Sequence, residues 1–275
     1  MLKGLLTFEP RTVTLGAGRS LLALGELLTL VFTSDHDLFP GLDERCGGLR
    51  MVSLWCLGSG SGWPEVARYL AIVVLATVVI GYRPRWTCVP HWYIAFSLGA
   101  ALVTPNGGEQ IVKIAALLLI PILLGDDRTW HWAKPPAPMP PRWRGAAAAG
   151  HLMVRALVAS VYLQALVTKL VEAAWREGQA MHYVLQDPYF GATPSMAALL
   201  EGAVPAMTWG AMVAEALLAV SAFAGDRTRG WAIAVGAALH VAIAVVLGLV
   251  SFGLTMVGLL CVSALLRDRQ ATAGP

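Results

Sequence analysis

The chain has 275 residues, of which 57% are hydrophobic and only 13% charged, with a mean hydropathy of +0.64. A soluble domain is roughly a quarter charged, so this balance excludes a soluble globular enzyme, a disordered chain and a disulfide-dense secreted scaffold. The 20 Lys and Arg residues exceed the 17 Asp and Glu by three and are scattered, which leaves no basic tract for nucleic acid.

What remains is an all-α integral membrane protein. A spanning helix needs roughly 20 mostly apolar residues, and eight segments qualify, at about 14–33, 66–82, 86–104, 108–125, 148–171, 204–224, 230–249 and 251–266. The N-terminus carries Glu9, Arg11 and Arg19 and has no small-residue cleavage site, so its apolar stretch is expected to stay as the first span. Within that span Glu26 calls for a buried cation such as Arg155, and Arg19 is near enough to the inner end to snorkel. The long segment 34–65 follows, with Cys46 and Cys56 expected to close a disulfide; a redox pair is the alternative, without a Cys-x-x-Cys to support it. Gly58-Ser59-Gly60-Ser61-Gly62 lies in it, with no strand before it and no basic helix after it, and reads as loop.

The run from Tyr69 to Ile80 does not alternate, which argues against a barrel. Pro105-Asn106-Gly107-Gly108, Gly225 to Arg229, and Val250-Ser251 are tight connections between helical hairpins. The inner segment 126–145 contains Pro135-Pro136-Ala137-Pro138-Met139-Pro140-Pro141 and reads as a stiff linker between two four-helix halves, flanked by Trp130, Trp132 and Trp143 as interfacial anchors. A second long segment, 172–203, lies on the outer side; loops of this length are usually functional or disordered. Cys88 and Cys261 read as unpaired packing residues.

Orientation follows the loop cations. Twelve fall in one set of compartments (Lys3, Arg11, Arg83, Arg85, Arg128, Lys134, Arg142, Arg144, Arg227, Arg229, Arg267, Arg269) and four in the other (Arg45, Arg50, Arg68, Arg176). Both termini are therefore expected in the cytoplasm of a bacterial-type plasma membrane.

Zinc-ligand spacings, Walker loops and nucleophile elbows are absent, and no metal site is expected. Candidate chemistry lies in the ionisable residues inside the spans. Arg155, Tyr162, Lys169 and Arg176 recur every seven residues along the fifth span, one slowly drifting stripe. Glu172 and Arg176 are spaced as a favourable i,i+4 pair. Lys169 either snorkels to headgroups or, desolvated, serves as a general base. Glu109 and Lys113 are also spaced as an i,i+4 pair, structural or ligand-binding. Glu215 and His240 lie mid-span; His240 is either a proton carrier or a hydrogen-bonded structural histidine. Phe252, Met256, Trp209 and Met212 read as packing.

The segment Lys169-Leu-Val-Glu-Ala-Ala-Trp175-Arg-Glu-Gly178-Gln-Ala-Met-His-Tyr183 resembles the Lys-Leu…Trp…Gly…Ala/Met…Tyr signature of the HTTM domain, the membrane domain shared with vitamin K-dependent gamma-carboxylase. Arg19-Ser-Leu-Leu-Ala-Leu with Leu38-Phe39-Pro40, then Asn106-Gly-Gly-Glu-Gln110, and Leu118 through Gly125-Asp-Asp-Arg-Thr-Trp-His-Trp132 resemble its sporulation-delaying protein B branch. The resemblance runs through nearly the whole chain and implies a single HTTM-like bundle over residues 1–275. It places Lys169 where the carboxylase has the base that deprotonates a reduced vitamin K, and so implies a reduced quinone as cofactor. Gly108-Glu109 stands where the carboxylase has a functional histidine, and the chain ends after the eighth span without a large lumenal domain, so carboxylation itself is not implied.

The nearer relatives act with small partner proteins to produce a secreted toxic peptide. The expected function is maturation of such a peptide at the outer face, with membrane lipid, the peptide precursor and a small sporulation-delaying protein A-type protein as partners. Lys169 is the expected base, His240 and Glu215 proton carriers, and Glu109, Gln110, Lys113, Tyr162, Glu172 and Trp175 substrate or cofactor contacts. The alternative is a non-enzymatic scaffold, export helper or immunity partner. A proton-coupled transporter is a third reading, without the paired broken spans of inverted repeats.

Overall fold

Backbone N–H and C=O groups facing lipid must pair within their own segment, which drives apolar sequence of this length into helices. The computed structural model describes residues 8–42, 46–58, 62–103 and 106–266. Lys3, Arg45, Arg267 and Arg269 of the loop cations, Ser59 to Ser61 of the glycine-rich loop, and Pro105 lie outside them. The eight long helices are α1 (Val13–Phe32), α2 (Trp63–Val79), α3 (Pro84–Ala101), α4 (Gly107–Leu123), α5 (Pro141–Val171), α6 (Val204–Ser221), α7 (Asp226–Leu247) and α8 (Val250–Ala264). Four stretches are long and apolar enough to cross a membrane by themselves: Val13–Phe32, Pro141–Val171, Pro194–Ser221 and Asp226–Leu247. The helices α2, α3 and α4, of 17, 18 and 17 residues, and α8, of 15, are shorter or less apolar.

Local chemistry sets the helix ends. Thr12 Oγ1 accepts from the Leu15 N–H at 3.1 Å, and Asn106 Oδ1 from the Gly108 N–H at 2.6 Å, each satisfying a donor that the first turn leaves free. The fifth helix begins at Pro141 and not at about 148, because a proline at the first helical position has the right φ and lacks an N–H that would be unpaired anyway. The proline-rich linker is correspondingly shorter than its sequence suggests.

Helix α8 is apolar on all sides and accordingly occupies the interior, touching α1, α4, α5 and α7. Its most extensive contact is with α1, so the first and last helices pack together and the linker does not separate two halves.

At the linker end the loop is tied down. Arg11, 3% exposed, binds Glu9, Asp127 Oδ1 at 2.9 Å and the Ala137 carbonyl at 2.6 Å. Burial pushes the Glu9 carboxyl up, but hydrogen bonds from Arg11 and from the Met139 N–H outweigh it and hold the group below the ordinary carboxylate range. Asp126 and Arg128 form a buried pair at 2.7 Å. Trp132 gives its indole N–H to the Ile80 carbonyl at 2.9 Å, and Trp130 packs on Tyr82, so both aromatics fasten the linker to the α2–α3 turn.

At the opposite end Cys46 and Cys56 form the expected disulfide, with Cα atoms 5.5 Å apart, and Cys88 and Cys261 are free and buried. The bridge closes a short loop of 3₁₀ turns, for which the chain-entropy account gives about 3 kcal/mol. Reductant is expected to lower the thermal unfolding midpoint of the detergent-solubilised wild type but not of a Cys46→Ser/Cys56→Ser variant. Equal midpoints for reduced and oxidised wild type would show that the bridge does not stabilise the fold.

Candidate functional site

Helix α5 stops at Val171 because Glu172 turns to an extended conformation, φ −80° and ψ 129°. The chain then folds back through the short helices Ala173–Arg176 and Ala180–Leu185, joined at Gly178, whose φ of +77° is a left-handed conformation that glycine adopts without strain. Thr208 Oγ1 on α6 accepts from the Met181 N–H at 3.2 Å and fixes the second short helix in place. This re-entrant segment brings Trp175 and Met181 over the end of α5, covering a cavity of about 610 Å³ between α5, α6, α7 and α8. A volume of that size suits a drug-sized or lipid-like molecule.

The wall is almost wholly apolar, with Phe252, Met256 and Ile111 among its residues, and its few polar groups converge. Lys169 Nζ donates to Glu215 Oε1 at 2.7 Å and lies 4.9 Å from the centre of the Trp175 ring. Glu215 Oε2 is buried without a partner among the described residues, and so is the Tyr162 hydroxyl. The rings of His240 and Tyr162 meet at 69°, centres 6.0 Å apart. His240 Nδ1 lies 2.7 Å from the Gly236 carbonyl; since a carbonyl only accepts, Nδ1 carries the proton and Nε2 is left as an acceptor. Five of the expected site residues, Tyr162, Lys169, Trp175, Glu215 and His240, therefore line one cavity although they come from three long helices and a short one.

The two i,i+4 pairs expected from spacing are absent. Lys113 Nζ donates to Gln110 Oε1 at 2.8 Å, while Glu109, buried at the start of α4, accepts from Asn106 Nδ2 at 2.8 Å. The N-cap geometry turns the Glu109 carboxylate back toward the cap and away from Lys113. None of Glu109, Gln110 and Lys113 lines the cavity. Glu172 does not pair with Arg176, because the helix that would have stacked them stops at Val171, before both; Arg176 Nη1 donates instead to the Leu170 and Val171 carbonyls, capping α5. The seven-residue stripe accordingly stops at Lys169. Arg155 gives its Nε to the Ala222 carbonyl and lies over Phe223, so it is not the partner of Glu26. That partner is His91, at 3.2 Å. Arg19 does not snorkel: it is fully buried and donates to Thr87 Oγ1 at 2.6 Å.

The sequence is similar to two proteins of Bacillus subtilis (strain 168). It is 32% identical to YitO over 263 residues, 92% of this chain and 85% of that one. It is 32% identical to the sporulation-delaying protein SdpB over 266 residues, 93% of this chain and 82% of that one. The chain belongs to the SdpB family. No family model matches it, and no solved structure does.

Sequence reasoning about this SdpB-family chain passed over His91, Asn106 and His131. A buried ionisable residue within an apolar helix is itself a signal, and applied to His91 it would have supplied the partner that Glu26 requires. Phe252 and Met256, read as packing, form part of the cavity wall. Among the described residues no cluster of three His, Cys, Asp or Glu side chains is placed to hold a metal.

Proposed function

We propose that this SdpB-family protein crosses a bacterial-type plasma membrane eight times, both termini cytoplasmic, and takes part in maturing a secreted, toxin-like peptide at the outer face. In this reading Lys169 is the general base of a membrane-embedded enzyme or enzyme subunit with an HTTM-like, carboxylase-related bundle. A small partner protein of the sporulation-delaying protein A type assists it. Support comes from the similarity to the sporulation-delaying protein SdpB and from the loop cations, twelve against four. The observation that carries the reading is the Lys169–Glu215 ion pair at 2.7 Å in the wall of an apolar cavity.

The cavity suits a reduced quinone in chemical terms, since its wall is apolar while the Tyr162 hydroxyl and Glu215 Oε2 stand buried without partners. Such a group, when bound, supplies an acidic hydroxyl and reducing equivalents. The protein's own part is proton handling. Transfer of a proton from Lys169 Nζ to Glu215 Oε1 breaks an N–H bond, forms an O–H bond and leaves a neutral amine able to accept another proton. His240, with Nε2 as acceptor, is a second station for a proton.

The test is Lys169→Ala in cells that make the peptide, alongside Lys169→Arg. Loss of maturation in both variants at normal protein levels is expected. Normal maturation in either variant would instead assign Lys169 to a structural ion pair and the protein to a scaffold role.

A further inference from the structure

A second set of buried polar groups lies between α1, α3 and α4, and none of its members lines the cavity. At its centre Glu26 Oε2 and His91 Nε2 are 3.2 Å apart, with the two residues 2% and 1% exposed. Toward the linker end, two turns earlier on α1, Arg19 is fully buried, with only its Nη2 engaged, on Thr87; its Nε and Nη1 have no partner among the described residues. Beside it, Ser20 Oγ lies 3.3 Å from His131 Nε2. Toward the disulfide end Glu109, 5% exposed, holds Asn106, and Asn106 reaches Ser251 Oγ at 3.4 Å.

A purely structural ion pair would need one acid, one base and a closed set of hydrogen bonds. Here atoms without a partner among the described residues recur at three levels, on Arg19, on Glu26 Oε1 and on Glu109 Oε2. Each such atom is destabilising if it stays dry, and internal water is the species able to satisfy all three. Ionisable groups that face one another inside a membrane bundle, bridged by water, are the elements of a proton path.

We propose that Glu26 and His91 form a proton-exchange site in a relay running from His131 at the linker end to Glu109 at the disulfide end. In the central step a proton on Glu26 Oε2 passes to His91 Nε2; the O–H bond breaks, an N–H bond forms, and a carboxylate and an imidazolium result. No electrons move, and the reverse step restores the neutral pair. Arg19 offsets the carboxylate charge from two turns away. The other ionisable groups on the packed elements are engaged or remote. On the linker, Asp126 and Arg128 pair with each other. Lys113 of α4 is held by Gln110, and Arg68 of α2 by Asp35 at 2.5 Å. Glu65 and Tyr69 of α2 share the disulfide end with Arg68; α3 adds Arg85 and Cys88 at its linker end and Tyr93 bound to the Val52 carbonyl, and α8 only Cys261. This inference does not rest on the proposed role of Lys169.

The full-length protein in liposomes with a trapped pH-sensitive dye, under a potassium diffusion potential, tests it. Wild type is expected to dissipate an imposed pH gradient faster than protein-free vesicles. Glu26→Gln and His91→Gln are expected to fall to the protein-free level, while Glu201→Gln on the exposed surface keeps the wild-type rate. A wild-type rate equal to that of protein-free vesicles, or an undiminished rate in Glu26→Gln, overturns the relay. Should the variants fail to fold, infrared difference spectra of the wild type in liposomes with and without an imposed pH gradient serve instead. A buried carboxyl band changing together with an imidazole band is expected, and spectra without either change overturn the proposal.

Discussion

Glu215→Leu is expected to destabilise the protein by about 3 kcal/mol, near the low end of the range for removing one partner of a buried ion pair. The Lys169→Met/Glu215→Leu double variant is expected to lie within about 1 kcal/mol of wild type, because both charges go together and apolar replacements suit an apolar wall. The lower figure for the single variant follows from partial exposure, 20% for the Lys169 side chain and 11% for Glu215. Lys169→Met should also destabilise, since it leaves both Glu215 oxygens without a partner among the described residues: Oε1 loses its donor there and Oε2 already has none. Both single variants and the double variant are expected to be inactive in peptide maturation, so stability returns in the double while function does not. Thermal unfolding of the four detergent-solubilised proteins checks the first half and maturation in cells the second. Additive destabilisation would show that the two side chains do not act as a unit. Activity in the double variant would remove both residues from the chemistry.

The helical, lipid-facing character of the chain was legible from composition, because hydropathy over a span of roughly 20 residues has few other causes. The disulfide was legible from two cysteines in one long loop. The convergence of Tyr162, Lys169, Glu215 and His240 was only half legible. Their placement within apolar segments marked them singly, but which of them meet depends on helix packing, which spacing along one helix does not encode. The errors share this origin. Glu109 with Lys113 and Glu172 with Arg176 satisfy the i,i+4 rule, yet the rule assumes an uninterrupted helix and no better partner. Asn106 competes for Glu109, and the break at Glu172 removes the helix on which the second pair depended. Long-range partners such as Glu26 with His91, 65 residues apart, have no sequence-local signature.

The same reasoning explains why polar groups sit where they do. In lipid a helix pair gains little from hydrophobic burial, since the surrounding tails are as apolar as leucine. Close packing and hydrogen bonding must then hold the bundle together. The tight α1–α8 contact supplies the packing, and the buried pairs on either side of it supply the polar contacts. The proposed chemistry at Lys169 and the proposed proton exchange at Glu26 both depend on that framework remaining fixed.

Gly18→Leu is therefore expected to prevent accumulation of folded protein, the largest structural effect predicted for a single substitution. A Cβ on Gly18 would stand 2.7 Å from the Gly258 carbonyl oxygen and 2.7 Å from the Val262 nitrogen, both backbone atoms that no side-chain rotation can move. The contact is mutual, because a Cβ on Gly258 would meet the Gly18 carbonyl oxygen at 2.8 Å. Separating α1 from α8 to admit a side chain would also open the interior around α8, which touches four other helices. Overpacking of a fixed site costs about 1–3 kcal/mol even for added methylenes, and small residues at a helix crossing are what permit close approach in membranes. Gly18→Ala should already lower the unfolding midpoint. Gly230→Ala is the matched control, since among the described residues its Cβ would meet only Leu266 Cδ1 at 3.8 Å, an ordinary contact with the end of a flexible side chain. Fluorescence-detected size exclusion of the three variants against wild type provides the comparison. A Gly18→Leu protein that elutes and unfolds like Gly230→Ala would mean that α1 and α8 are not packed at this distance in the membrane.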